Sequence, residues 1–143
     1  YVEPEIKSLS SFTPNKINKG NDLTIVASSY SVITAKDVCE NLKNEGIESD
    51  LFDIRLISPM NLDDVRQSVE KTKNLVVIDG GWSFCGLSSE IITDVVTNIE
   101  SNTLINRPMR FTIESSSAPT SSELEKIYYP DARKISEEIK KLF

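Results

Sequence analysis

The sequence predicts an α/β fold in which a mostly parallel sheet carries helices on both faces. Short apolar runs rich in β-branched residues, typical of buried strands, alternate with longer segments whose apolar residues recur at helical spacing. This alternation of strand and helix is typical of a parallel sheet. A length of 143 residues suits one domain with one core. Right-handed crossovers would then fix the hand of the connections.

The first half of the chain contains two of these strand–helix units. Lys16–Lys19 could form a short edge strand that its lysines protect, and Leu23–Ala27 is predicted to be a buried strand. Ser31 is a candidate N-cap for the following helix, and Gly46 stands where a helix C-cap glycine belongs. The next strand is predicted over Ser49–Leu56.

The third unit contains the stretch around which the chain is organised. That stretch is 74–90. Asn61 is predicted to cap the helix that lies between Asn61 and this stretch. A strand follows at Leu75–Ile78, and Asp79, Gly80 and Gly81 are predicted to break it before another helix that ends near Glu100. In open α/β sheets, turns of this kind line the crevice at the carboxyl ends of the strands.

The last part of the chain is predicted to add one strand and two helices. Met109–Ile113 is the strand, and Ser115–Ser122 is a serine-rich loop. A short helical segment at Glu123–Tyr128 precedes a final helix, which Pro130 and Asp131 begin. Ile135, Ile139 and Leu142 are expected on the inner face of that helix.

Composition excludes several classes of protein. A net charge of −6 argues against a nucleic-acid binder, which normally presents a basic face. Cys39 and Cys85 are too few for a disulfide framework and favour free thiols in the cytoplasm. No apolar run is long enough for a membrane span, so no membrane partner is expected. The polar residues 1–13 are predicted to be a linker from an upstream domain, and 14–143 the domain itself.

The chemistry of a complete active site is missing from the sequence. The absence of histidine excludes serine–histidine and cysteine–histidine pairs, and neither GxGxxG nor GxxxxGK[ST] occurs. Two distant cysteines do not make a metal cluster. We therefore expect no catalytic, cofactor-binding or metal-binding residues in this chain.

Two turns at the predicted carboxyl edge of the sheet hold the candidate functional residues. The crevice is expected between the polar turn Ser28, Ser29, Tyr30 and Ser31 and the turn that follows Leu75–Ile78. In this arrangement the strand at 23–27 lies between those at 75–78 and 51–54. The candidate interface or active-site-border residues of the second turn are Gly80, Gly81, Trp82, Ser83, Phe84, Cys85, Gly86 and Glu90.

Several of these side chains have a structural interpretation beside the functional one. Trp82 and Phe84 could fill the core or could anchor a subunit interface, where aromatic residues are enriched. Cys85 could be an activated thiol near a helix N-terminus, although a small residue filling a tight loop is the simpler interpretation. Glu90 is favoured by the helix dipole alone. Arg55 could pair with Asp53 or Asp79 or bind an anion.

Four segments in order resemble a known family. DLTIVASS at 22–29, FDIRLISPMN at 52–61, LVVIDGGWSFCGLSSEI at 75–91 and IYYPDARKI at 127–135 are similar to the C-terminal domain of transketolase-like, thiamine-diphosphate-dependent enzymes. The strongest likeness is to the beta subunit of 2-oxo acid dehydrogenases of the pyruvate type. The sequence departs from the family's usual glycine and alanine at Ser88 and Ser89, and from its Val-Pro motif in the loop 115–122.

The resemblance implies a three-layer α/β/α domain with a five-stranded mixed sheet whose short first strand is antiparallel. It also implies a domain that supports dimerisation and borders the active site, while thiamine diphosphate and magnesium bind elsewhere in the full-length enzyme. The implied partners are an upstream pyrimidine-binding domain, a dimer partner, and possible alpha-subunit and acyltransferase-core partners. The alternative is a noncatalytic assembly domain or a small-molecule sensor on a doubly wound sheet.

Overall fold

A computed structural model of the protein describes residues 13–143. Within that range strands and helices alternate through most of the chain, as their bounds show. The elements are β1 (Asn15–Asn18), β2 (Leu23–Ala27), α1 (Ser31–Asn44), β3 (Ser49–Asp53), α2 (Asp63–Thr72), β4 (Leu75–Trp82), α3 (Leu87–Asn98), β5 (Met109–Ile113), α4 (Ser122–Tyr128) and α5 (Ala132–Lys140).

The five strands form one mixed sheet in the order β1-β3-β2-β4-β5. β1 runs antiparallel to β3, and every other pair of neighbours is parallel. β2 pairs with β3 on one side and with β4 on the other. These pairings confirm the predicted fold and the predicted neighbours of the strand at 23–27.

Helices cover both faces of the sheet and make the three layers. Successive residues of a strand point to opposite faces, so β2 sends Ile25 to one core and Val26 to the other, and both are fully buried. The core on the Ile25 face is closed by α1 and α5, including Ala35, Leu42, Ile135 and Ile139. The core on the Val26 face is closed by α2 and α3, including Val65, Val69, Ile91 and Val95.

A buried carboxylate, Asp50, joins three elements near the amino ends of the parallel strands. Its Oδ2 accepts hydrogen bonds from Lys16 Nζ at 2.9 Å, Lys71 Nζ at 2.8 Å and Ser68 Oγ at 2.5 Å. Its Oδ1 accepts from the Gly20 backbone N–H at 2.9 Å. Burial alone would raise the pKa of this carboxyl, but these four donors outweigh it and lower the pKa to about 2.

Three predicted strand boundaries are wrong, each for a reason of pairing. β1 ends at Asn18, because the chain turns at Gly20, whose Cα packs against the backbone of Glu48 and Ser49. β3 ends at Asp53 because its partner β2 ends at Ala27, which pairs with Asp53. β4 continues through Asp79, Gly80 and Gly81 to Trp82, where pairing with β5 resumes at Ile113 after an irregularity.

The predicted helix ends need smaller corrections. Ser31 is the first residue of α1, while Tyr30 occupies the N-cap position without a side-chain cap. Gly46 has a φ of 81°, a left-handed conformation that confirms the predicted role of a glycine at the end of α1. The Asn61 side chain accepts from the Asp63 N–H at 2.9 Å, although Leu62 holds the N-cap position.

The final helices follow the prediction closely. Asp131 caps α5 by accepting from the Lys134 N–H. α5 ends at Lys140, so Leu142 lies beyond it and is only half-buried, unlike the buried Ile135 and Ile139. The predicted linker falls outside the described residues except for Thr13, and it stays a prediction. No helix within residues 13–143 has the length and apolar character needed to cross a membrane.

Candidate functional site

A cleft opens at the carboxyl ends of the two central strands. From β2 the chain continues through α1 to β3 on one side, and from β4 it continues through α3 to β5 on the other. Connections that diverge in this way leave a crevice between neighbouring strands, the usual ligand position in open α/β sheets. The cleft has a volume of about 590 Å³. Its lining residues are Tyr30, Ser31, Thr34, Ile78, Gly80, Tyr129 and Pro130.

Only part of the predicted crevice residues line this cleft. Tyr30 and Ser31 do, whereas Ser28 and Ser29 form the turn beside it. The backbone carbonyls of Ser28 and Ser29 accept from the N–H groups of Ser31 and Val32, both at 3.1 Å. Of the second predicted turn, only Gly80 reaches the cleft.

Gly80 and Ser31 face each other across the cleft. A Cβ placed on Gly80 would lie 3.3 Å from the Ser31 Oγ. Ser31 itself is only 7% exposed. Because Gly80 has no side chain, the Ser31 hydroxyl can face the cleft.

Tyr129 and Pro130 complete the cleft, and sequence reasoning did not place them there. α5 packs parallel to α1, since Asn41 contacts Ser136 and Glu45 pairs with Lys140. The segment before α5 is therefore carried to the start of α1. No local sequence signal reports that packing, so the two residues could be found only from the assembled fold.

The turn from β4 to α3, residues 79–89, is held by a buried carboxylate. Asp79 Oδ1 accepts from the Gly81 N–H and Oδ2 from the Ser88 N–H, both at 2.9 Å. Ser88 lies in the first turn of α3, so Asp79 supplies the acceptor that Gly86, at the N-cap position, lacks. An acid directly before a glycine pair is a local signal that could have indicated this role, which sequence reasoning did not assign to Asp79. Arg55 makes no salt bridge with this carboxylate, whose two oxygens bind backbone N–H groups.

Two further contacts brace the β4–α3 turn. Arg110 on β5 donates from Nη1 to the Ser83 carbonyl at 2.9 Å and to Ser89 Oγ at 2.7 Å. A Cβ on Gly86 would lie 2.0 Å from the Trp82 carbonyl oxygen, so only glycine permits this close approach. Nothing in the local sequence around Arg110 indicated this role.

The braced turn presents two aromatic side chains outward. Trp82 is 54% exposed and Phe84 is 78% exposed, so neither fills the core. Cys85 is exposed and unpaired, with a φ of 53°. Ser83 and Gly81 are half-buried beneath them, and Glu90 is exposed on α3. Of the predicted residues of this turn, Trp82, Phe84 and Cys85 are thus exposed, whereas Gly80 lines the cleft.

Two charged residues, Asp53 and Arg55, lie at the carboxyl end of β3. Burial raises the pKa of the Asp53 carboxyl at the end of β3, and the charges of Arg55 and Lys36 oppose that shift. Arg55 itself is exposed beyond the strand. Over the described range 13–143, no group of three or more histidine, cysteine, aspartate or glutamate residues is placed to hold a metal ion.

Comparisons with known proteins agree with the fold. The chain is 30% identical over 127 residues to the pyruvate dehydrogenase E1 component subunit beta of Rickettsia felis, covering 88% of this chain and 38% of the relative. It is 30% identical over 144 residues to the mitochondrial protein of the same name from Ascaris suum, covering 98% and 40%. It is 31% identical over 122 residues to the acetoin:2,6-dichlorophenolindophenol oxidoreductase subunit beta of Cupriavidus necator, covering 85% and 36%.

A solved structure and a family profile give the same result. The structure titled split gene transketolase, inactive beta4 tetramer, superposes with a TM-score of 0.74 at 21% identity, over 96% of this chain and 46% of that one. The chain thus spans less than half the length of these relatives. The profile described as transketolase, C-terminal domain, matches residues 14–135, nearly the whole described domain and its four resembling segments. The chain therefore belongs to the family of transketolase C-terminal domains.

Proposed function

We propose that this chain is the assembly domain of a subunit of a thiamine-diphosphate-dependent enzyme, of the 2-oxo acid dehydrogenase or transketolase-like class. It supports dimerisation and borders the active site, and it is not catalytic alone. The observation that carries the proposal is the pair of exposed aromatics, Trp82 and Phe84, on the rigid β4–α3 turn.

Exposed aromatics on a braced turn are suited to anchor a partner. Burying a tryptophan or phenylalanine removes a large apolar area from water, and such residues dominate the energetics of interfaces. A turn already fixed by Asp79, Gly86 and Arg110 loses little further conformational entropy on binding. The β4–α3 turn therefore combines apolar area with preorganisation.

The residues present do not fit the cofactor itself. A diphosphate bound through magnesium requires oxygen ligands for the metal and cationic or N–H donors for the phosphates. The lining of the cleft includes no charged side chain. In the part of the chain that the structure describes, no acidic cluster suits a metal. We therefore propose that thiamine diphosphate and magnesium bind elsewhere in the full-length enzyme.

The proposed partners follow from the proposal that this domain assembles the enzyme while other domains bind the cofactor. They are an upstream pyrimidine-binding domain of the same chain and a dimer partner, with an alpha subunit and an acyltransferase core as further candidates. Relatives of this chain carry names that designate them as beta subunits, which supports association with other chains. We also propose a cytoplasmic location, for which the two unpaired cysteines are the support.

Sedimentation of the full-length protein tests the proposal. Phe84→Ala should weaken subunit association by about 30-fold or more, since truncating a hot-spot aromatic at the centre of an interface costs about 2 kcal/mol or more. Ile105→Ala is the matched control, because Ile105 is a similarly exposed apolar residue away from the β4–α3 turn. Equal association of the two variants and the unchanged protein would contradict the assembly role.

A further inference from the structure

The cleft between β2 and β4 has a chemistry that differs from that of the β4–α3 turn. Its seven lining residues include no charged side chain. The backbone cannot replace that charge, because the first N–H groups of α1 are already bonded. Ser31, Val32 and Ile33 donate to the carbonyls of Ser28, Ser29 and Tyr30 at 3.0–3.1 Å. The cleft is therefore unsuited to an anion such as a phosphate and suited to a neutral ligand.

One serine hydroxyl, that of Ser31, faces the cleft. Ser31 Oγ belongs to a residue that is 93% buried, and the space opposite it exists because position 80 is glycine. Thr34 lines the same cleft one helical turn later on α1 and places a second hydroxyl-bearing side chain beside it. A ligand with hydroxyl groups would satisfy Ser31 directly.

The rest of the lining offers apolar and aromatic surface. Ile78 and Pro130 contribute aliphatic surface, and Tyr30 and Tyr129 contribute rings. The Tyr129 ring is held edge-to-face by Tyr128 with centroids 5.1 Å apart, and the Tyr128 hydroxyl donates to the Ser116 carbonyl at 2.7 Å. A fixed aromatic face beside hydroxyl groups matches the two sides of a sugar ring, whose C–H face is apolar and whose edge carries hydroxyls.

We propose that this cleft binds a small neutral carbohydrate, with its ring against Tyr129 and a ring hydroxyl bonded to Ser31 Oγ. A volume of about 590 Å³ falls within the usual range for small-molecule pockets. The ligand class is set by three features together: no charge in the lining, a serine hydroxyl that faces the cleft, and a braced tyrosine. The inference does not rest on the assembly role of Trp82 and Phe84.

Amide chemical shifts of the ¹⁵N-labelled chain, titrated with methyl β-D-glucopyranoside, test the proposal. We expect saturable shifts centred on Ser31, Gly80 and Tyr129. Glucose 6-phosphate should bind more weakly, because its charge finds no partner in the lining. Ser31→Ala should weaken binding about fivefold, as for the loss of one hydrogen bond. Gly80→Ala should weaken it by a comparable or larger factor, since the added Cβ occupies the space before Ser31 Oγ.

Ser117→Ala is the matched control, because Ser117 lies exposed in the loop after β5. It should leave both the fold and the titration unchanged. The spectra of the unliganded variants report whether each is folded, and Tyr129→Ala gives a third variant if Gly80→Ala perturbs the turn. The proposal is overturned if no saturable shifts appear, if they map away from the cleft, or if Ser31→Ala and Tyr129→Ala bind like the control. Tighter binding of the phosphate also overturns it.

Discussion

Trp82 belongs to a strand of the sheet, but its side chain lies outside the hydrophobic core. It is the last residue of β4 and pairs with Ile113 of β5, yet more than half of it is exposed. Its backbone carbonyl packs against Gly86, so the main chain is fixed while the indole ring projects outward. A large apolar side chain that contributes little to folding is a candidate for contributing to association.

Truncating Trp82 to alanine should separate its contribution to folding from its contribution to association. Trp82→Ala should reduce the free energy of unfolding by less than the roughly 3–5 kcal/mol that truncation of a core aromatic costs. Phe52→Ala is the comparison, because Phe52 is 1% exposed and should lose the full amount. Urea melts of the 143-residue chain measure both. A loss of about 4 kcal/mol for Trp82→Ala would make Trp82 a core residue.

Asp50 acts at the residue scale on stability. Its carboxyl pKa is lowered to about 2 from an ordinary 3.8, so the unfolded chain binds the proton more readily than the folded chain. The resulting stabilisation is complete above about pH 4 and disappears as the pH falls through about 2. Its size is roughly 2 kcal/mol, from 1.36 kcal/mol per pKa unit.

Asp50→Asn should therefore lower stability at pH 7 by roughly 2 kcal/mol or more, because Lys16 and Lys71 lose their shared carboxylate. It should also flatten the decline in stability between about pH 4 and pH 2. Denaturant melts between about pH 4 and pH 2 would measure this decline. Asp37→Asn is the control, because Asp37 is exposed. If Asp50→Asn kept the same acid dependence as the unchanged chain, the buried network would not be its source.

At the scale of elements, the sequence predicted which segments form strands and helices better than where they end. The apolar run Leu75–Ile78 predicted β4. The continuation of β4 to Trp82 depends on the pairing of Trp82 with Ile113 of β5, which lies more than 30 residues away in the sequence. The end of β3 likewise depends on where β2 stops. Local caps such as Asp131 and Gly46 were predictable because their cause lies within a few residues.

The residues of the candidate site likewise divide into those that local sequence predicts and those that only tertiary packing places there. Tyr30, Ser31 and the residues of the β4–α3 turn could be predicted because turns after parallel strands meet at one edge of the sheet. Tyr129 and Arg110 could not, since they reach that edge only through the packing of α5 on α1 and of β5 on β4. The sequence left both a core position and an interface position open for Trp82 and Phe84. The structure exposes both side chains, and their role in assembly remains a prediction.

The β4–α3 turn should be intolerant of a side chain at position 86. A Cβ there would lie 2.0 Å from the Trp82 carbonyl oxygen, so Gly86→Ala must displace backbone and should destabilise the chain by about 2 kcal/mol or more. Gly80→Ala meets only a side-chain hydroxyl at 3.3 Å and should lose about 1 kcal/mol or less. Thermal melts compare the two, and an equal loss would contradict the close approach at Gly86.

At the scale of the whole molecule, the chain spans 38% and 40% of the length of the two pyruvate dehydrogenase beta subunits compared above. The fold supplies a stable sheet, a braced turn and a neutral cleft, and none of them suits a diphosphate. The division between an assembly domain and cofactor-binding domains in the larger protein remains our proposal.

Calorimetry with thiamine diphosphate and magnesium tests that division. The 143-residue chain should give no heat of binding, because its cleft has no charged side chain for the diphosphate. The full-length enzyme serves as positive control for cofactor and buffer. A micromolar dissociation constant for the chain alone, equivalent to about −8 kcal/mol, would contradict the division of labour.

The exposure of Trp82 in the full-length protein tests the central claim most directly. Trp82 is the one tryptophan of this chain, so 5-fluorotryptophan labelling gives a ¹⁹F resonance that Trp82→Phe assigns. The H₂O/D₂O isotope shift of that resonance reports how much water reaches the ring. The account predicts a large isotope shift in the 143-residue chain and a much smaller one in the assembled enzyme, with partial recovery on dilution below the dissociation constant of the assembly. An isotope shift that stays the same on assembly would show that Trp82 remains in water and would contradict the account.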